Sequence, residues 1–254
     1  MIRSTFQILD RVGELREHSI WKQGIRDWDD FIERDRIKGI SAGKKPYLDR
    51  QLRKAKRALY NMDSSYFYDK LGMKDTWRLY DFFREEAVFL DIEAEGVNPH
   101  SDITVIGLFD GISTKTMVKG VNMEYSSLRK ELSRYKVIVT FNGSSFDLPF
   151  IRKRYDILPD IPHIDLRHLC SRLGLSGGLK NIEKGFGISR NKIIEHMYGG
   201  DALMLWKMFK ATGDRHYLNL LVEYNEEDVL SLKKIMNYCY DKLSGEMKNE
   251  IAAE

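Results

Sequence analysis

Cysteine is nearly missing from this chain: Cys170 and Cys239 are its only two in 254 residues. They form neither a disulfide framework nor a metal-knuckle spacing, so each reads as a small packed hydrophobe and the chain as one suited to a reducing cytoplasm. No run of about 18 apolar residues occurs, which excludes a membrane-spanning helix and a membrane partner of that kind. The start, Met1-Ile2-Arg3-Ser4-Thr5-Phe6-Gln7, has no long apolar stretch behind its charge and does not look like a signal peptide. His163, His168 and His196 show no ligand-like spacing. Net charge is small as well, at +3. Hydrophobic residues at 43% and charged residues at 31% describe a globular protein with a real core. Its length suits one large domain or a domain with an appendage.

The small net charge conceals a division. Residues 1 to 80 hold 18 Lys+Arg against 12 Asp+Glu, net +6, and the rest hold 23 against 26, net −3. Between positions 36 and 57 stand Arg36, Lys38, Lys44, Lys45, Arg50, Arg53, Lys54, Lys56 and Arg57, with Asp49 as the one acid. Such a density attracts a polyanion, the alternative being a solvated basic helix surface without a ligand. Apolar positions over residues 6–32 are spaced as short amphipathic helices broken at Gly13 and Gly24. Residues 11–28 resemble a degenerate helix-hairpin-helix in which Arg11 replaces the usual second glycine; a small helical cap is the competing reading. Residues 47–59 run without breakers as a basic helix. Aromatics then gather from Tyr60 to Phe83, either as stacking platforms for bases or, the safer expectation, as packing against the next domain.

From Ala87 the pattern changes to alternating strand and helix signals. Ala87-Val88-Phe89-Leu90-Asp91-Ile92-Glu93 reads as a buried strand. Residues 102–109 and 113–118 read as the next two, and their short connections imply antiparallel neighbours. A helix over 125–134, a buried strand over 136–140, a helix over 148–155 and a short strand over 163–165 follow, then further helices. The predicted architecture is α/β: a mixed five-stranded sheet flanked by helices over residues 81–245, preceded by a basic helical region over 1–80 and followed by a tail over 246–254.

Side chains alternate along a strand, so Phe89, Asp91 and Glu93 share one face. Two carboxylates then leave a core strand side by side, where burial and repulsion disfavour ionisation unless something positive lies between them. Alone, the pair is equally well explained by an edge strand with solvated acids. Asp147 follows the turn at Asn142-Gly143 and falls near the start of a helix, beyond a strand end where ligands of α/β sheets collect. The helix dipole favours an acid there in any case. Over 217–240, Leu221, Tyr224, Asp228, Leu232, Ile235 and Cys239 recur at threes and fours as one inward stripe. An acid among leucines needs a cation or donor, and Tyr224 lies one turn before Asp228 on the same side.

Together, Asp91-x-Glu93, Phe141-Asn142-Gly143-x-x-Phe146-Asp147 and Tyr224-x-x-x-Asp228 resemble the three motifs of the DnaQ-like 3'-5' exonuclease superfamily in its tyrosine form, DEDDy. Ile164-Asp165-Leu166, Gly200-Asp201 and residues 223–229 are most similar to its YprB-like ribonuclease H-like branch. The resemblance covers about residues 87–243. It implies a ribonuclease H-like fold and hydrolysis of phosphodiesters from a 3' end with release of nucleoside 5'-monophosphates. That reaction requires a hydroxide at neutral pH and relief of charge on the leaving oxygen, which two divalent cations roughly 4 Å apart supply. Carboxylates suit Mg²⁺ or Mn²⁺. The resemblance further implies that Asp91, Glu93 and Asp228 hold one ion, that Asp91 reaches the second, and that Asp147 completes the second site through water. Tyr224 would position the attacking water. Asn142 and Phe146 would touch the terminal nucleotide, with turn-forming and core roles as the alternative. Single-stranded DNA is the expected partner, because only a frayed or single strand threads a terminal phosphodiester between two metals. RNA trimming by the same site, internal cutting, and a non-catalytic nucleic-acid adaptor are the rival readings. Asp165 is expected to make a structural hydrogen bond, and residues 177–181 a plain turn before a helix.

Overall fold

In the computed structural model the described residues are 1–98, 101–191, 194, 197 and 199–253; His196 lies outside them. The chain divides into two compact units, one of Met1–Arg84, Asp160–Pro162 and Tyr238–Glu254, the other of Glu85–Pro159 and His163–Asn237.

In the first unit, α1 (Glu14–Trp21) and α2 (Trp28–Glu33) form where the apolar spacing places them. Gly24 turns the chain between them at φ +73, a conformation that costs glycine little. The side chain of Asp27 caps α2 by accepting from the N–H groups of Asp29 and Asp30. Helix α3 (Lys45–Tyr60) turns Leu48, Leu52, Ala55 and Leu59 inward and leaves Arg50, Arg53, Lys54 and Arg57 exposed. Two bases of this stretch are already spoken for: Lys45 is buried against Asp49, and Lys56 pairs with Asp29. Four of the aromatics expected to pack against the next domain lie in this unit's core, and two of them meet Tyr240, a residue of the predicted 81–245 region. Phe67, Trp77, Tyr80 and Phe83 are buried. The rings of Trp77 and Tyr80 lie 6.0 and 5.8 Å from that of Tyr240, because residues from Tyr238 onward belong to this unit.

The second unit holds the sheet. Strands β1 (Ala87–Ala94), β2 (Ile103–Phe109) and β3 (Thr114–Val118) form an antiparallel meander. Strands β4 (Val137–Thr140) and β5 (His163–Asp165) add in parallel beyond β1, giving the order β3-β2-β1-β4-β5. This is the predicted mixed five-stranded sheet. β2 and β4 are buried along their whole length, as strands covered on both faces must be. The helices are α4 (Tyr125–Leu132), α5 (Asp147–Tyr155), α6 (Leu166–Arg172), α7 (Leu179–Gly185), α8 (Gly199–Thr212) and α9 (Arg215–Ala252), the last belonging to this unit as far as Asn237. Helix α9 runs well beyond the predicted 217–240 and through most of the expected tail. Leu243 and Met247, both buried, continue the four-residue spacing from Cys239. Among the described residues no helix is long and apolar enough to cross a membrane.

Candidate active site

In the β1–β2 register Asp91 stands opposite Gly107 and Glu93 opposite Val105. A Cβ at Gly107 would lie 2.1 Å from Asn225 Oδ1, so the bare backbone there is what admits α9 so close to the sheet. Asn225 is wholly buried and donates from Nδ2 to Asp91 Oδ2 at 2.8 Å. Further along the same helix stripe comes Asp228. One carboxylate oxygen from each of Asp91, Glu93 and Asp228 lies within 4.8 Å of the others. Two of these acids keep partial exposure and Asp228 is buried.

Asp147, the first residue of α5, stands beside this set without joining it. β4 pairs with β1 only from Ala87 to Phe89, so the N–H of Ile92 emerges past the strand end, and Asp147 Oδ1 accepts it at 3.0 Å. The turn leading to Asp147 is anchored by Asp165. Its carboxylate accepts from Asn142 N at 2.8 Å, Ser144 N at 3.1 Å, Ser144 Oγ at 2.5 Å and Arg167 N at 3.1 Å, the structural role expected of it. Asn142 takes up the left-handed conformation at φ +66, and its Oδ1 accepts from Arg167 Nη1 at 2.7 Å. Phe146 is half-buried with its ring 4.5 Å from that of Phe150. Both residues proposed to meet a nucleotide are thus engaged within the protein.

Burial pushes the carboxyl groups of Asp91 and Glu93 well above the ordinary range, with Asp228 and Asp147 adding repulsion to each. Asp147 is pushed up to about 7, burial outweighing the hydrogen bonds from its own N–H and that of Ile92. Asp228 is pushed up to about 6, burial outweighing the attraction of a neighbouring arginine. The hydroxyl of Tyr224 is raised by burial and then by Asp228, Glu93 and Asp91, so at neutral pH it keeps its proton and can donate it in a hydrogen bond. Acids gathered in this way form a site short of positive charge. Three mutually close oxygens of one hard donor type suit a divalent cation of the Mg²⁺ or Mn²⁺ kind, so the residues present fit such an ion.

The cation that Asp228 requires is Arg190. Its Nη2 donates to Asp228 Oδ1, while Nε and Nη2 donate to Glu183 at 2.7 and 2.6 Å. All three side chains are buried. The guanidinium carbon lies 5.7 Å, and Lys180 Nζ 4.9 Å, from the centre of the Tyr224 ring. Lys180 and Glu183 ride on α7, which follows the turn at Gly177-Gly178 as predicted. Sequence reasoning assigned no role to Asn225, Arg190, Glu183 or Gly107. Asn225 had a signal, since it precedes Asp228 by three residues on the inward face; Arg190 sits in a glycine-punctuated stretch without periodicity and had none.

A family model described as the RNase H superfamily matches residues 88–240. The chain is 26% identical over 200 residues to the uncharacterized protein YprB of Bacillus subtilis (strain 168), a match covering 70% of this chain and 48% of that relative. The chain thus spans about half the length of the curated relative it matches. Among solved structures, Brucella melitensis NrnC with bound Mg²⁺ aligns at 20% identity and a TM-score of 0.47 over 68% of this chain and 82% of that one. Escherichia coli RNase D, an exoribonuclease involved in structured RNA processing, aligns at 21% and 0.46 over 70% and 46%. The family match and the YprB relative agree with the resemblance drawn from the three motifs.

Proposed function

This chain belongs to the RNase H superfamily, and from that premise we propose that it is a 3'-5' exonuclease that removes nucleotides from single-stranded DNA. The observation that carries the reading is the convergence of Asp91, Glu93 and Asp228 within 4.8 Å. These three acids would hold one divalent ion, and Asp91 with Asp147 a second. Mg²⁺ or Mn²⁺ held there would supply the charge that activates water and relieves the leaving oxygen. Asn225 fixes the orientation of Asp91 by its hydrogen bond. The Tyr224 hydroxyl, kept protonated, orients the attacking water and gives up no proton of its own. Attack at phosphorus expels the 3'-oxygen of the shortened strand, so the phosphate leaves with the released nucleoside as its 5'-monophosphate. A single strand brings its terminal phosphodiester among the acids without the cost of unpairing a duplex, and the exposed bases of α3 draw the polyanion.

The test is incubation of the protein with Mg²⁺ or Mn²⁺ and 5'-labelled DNA or RNA oligonucleotides. A descending ladder on DNA is expected, and Asp91→Asn should abolish it while leaving the circular dichroism spectrum intact. Faster shortening of RNA would replace the substrate, internal cuts would make the protein an endonuclease, and binding without cleavage would make it an adaptor. An Asp91→Asn variant that cuts like the wild type would remove the site assignment altogether.

A further inference from the structure

We propose that Arg190 is an internal counter-cation of the acid cluster: buttressed by Glu183, it holds Asp228 when no metal is bound and sets how tightly the acids take a divalent ion. The inference rests on the metal-site reading given above. Three observations carry it. First, Arg190 meets Asp228 directly, and burial of both leaves that carboxylate dependent on it. Second, the guanidinium is fixed from behind by Nε and Nη2 hydrogen bonds to Glu183 at 2.7 and 2.6 Å, a two-point grip that lysine could not reproduce. Third, the Arg190 side chain is only 4% exposed, and its Nη1 is sealed from solvent with no hydrogen-bond partner among the described residues. An arginine placed to read an incoming phosphate would present an open N–H. This one faces the protein's own acids, so its effect is on the charge of the cluster.

The two members of the pair therefore act with opposite sign. Arg190 repels an arriving cation, and Glu183 offsets that repulsion. A unit charge this close, at an effective dielectric of about 20, changes divalent-ion affinity by about tenfold or more. A pair that served only to brace the fold would give losses of affinity with either substitution.

The full chain is titrated with Mn²⁺ by calorimetry, and its melting is followed with EDTA and with saturating Mn²⁺. Arg190→Gln should tighten Mn²⁺ binding by about tenfold, lower the melting temperature in EDTA, and enlarge the gain on adding Mn²⁺. Glu183→Gln should weaken binding by about tenfold, and Arg190→Lys, which keeps the charge, should stay within about threefold of wild type. If Arg190→Gln does not fold without metal, Glu183→Gln and Arg190→Lys decide the matter. Shifts of the two glutamine variants in the same direction, or no shift in Glu183→Gln, would overturn the proposal. If wild type takes up no Mn²⁺, or Asp91→Asn takes it up equally well, the metal-site reading itself fails and this one with it.

Discussion

Gly107→Ala is a one-methyl change remote in sequence from the acids of the site, and the structure assigns it a large effect. The added Cβ would lie 2.1 Å from Asn225 Oδ1, 2.9 Å from its Cγ and 3.3 Å from Val229 Cγ1. Asn225 has no exposed surface to retreat into, and Val229 is equally buried on the same helix. Either α9 lifts from the sheet or the Asn225 side chain turns aside and releases Asp91 Oδ2. Overpacking costs about 1–3 kcal/mol and loss of a buried hydrogen bond to a carboxylate about 1.5–3, together roughly 2.5–6 kcal/mol. Asn225 Oδ1 has no partner among the described residues, so displacing that atom adds nothing further. The assay is equilibrium urea unfolding of Gly107→Ala beside Gly185→Ala, where a Cβ meets nothing within 4 Å at the end of α7. The second variant should match or slightly exceed wild type, by up to about 1 kcal/mol. Gly107→Ala should fall by the amount above and bind Mn²⁺ more weakly. If it unfolds within about 0.5 kcal/mol of wild type with Mn²⁺ affinity unchanged, the close approach of α9 to β2 is not what holds Asp91 in place.

Two further outcomes follow. Asp147 and Asp228 are raised from the usual carboxylate value to about 7 and about 6, so the folded state holds protons that the unfolded chain has released. The stability this confers on the metal-free protein is fully present below about pH 4 and is lost as pH rises through 6 to 7. Melting in EDTA should thus be lower at pH 8 than at pH 5, and saturating Mn²⁺, which requires deprotonated ligands, should reverse the order. A metal-free protein that melts higher at pH 8 would contradict the electrostatics of the site. Replacing Arg50, Arg53, Lys54 and Arg57 of α3 with glutamine should reduce the slope of log affinity against log salt for a single-stranded oligonucleotide by up to about 3, as read by fluorescence anisotropy. An unchanged slope would leave that helix a solvated surface.

Much of the site could be read from local periodicity, because each acid sits on a regular element. Strand alternation puts Asp91 and Glu93 on one face, and the stripe of α9 puts Tyr224 and Asp228 on another. The same stripe demanded a cation or donor for Asp228 and could not say which. Arg190 reaches it from an irregular stretch, and only tertiary packing fixes where such a stretch lies. Gly107 was hidden for a related reason. Within a strand it looks like a weak point, and its purpose emerges only from the register that sets it opposite Asp91 under Asn225. The antiparallel meander was legible because its connections are short enough to force neighbours, and β4 and β5 because a helical stretch precedes each. The far end of α9 was not, since charges such as Asp241, Lys242 and Lys248 mask the buried Leu243 and Met247.

The most direct test of the account is anomalous diffraction from crystals of the protein grown with Mn²⁺. The account predicts a Mn²⁺ peak within coordination distance of carboxylate oxygens from Asp91, Glu93 and Asp228 together. Mn²⁺ located elsewhere, with Asp228 still on Arg190 and Asp91 still on Asn225, would contradict it.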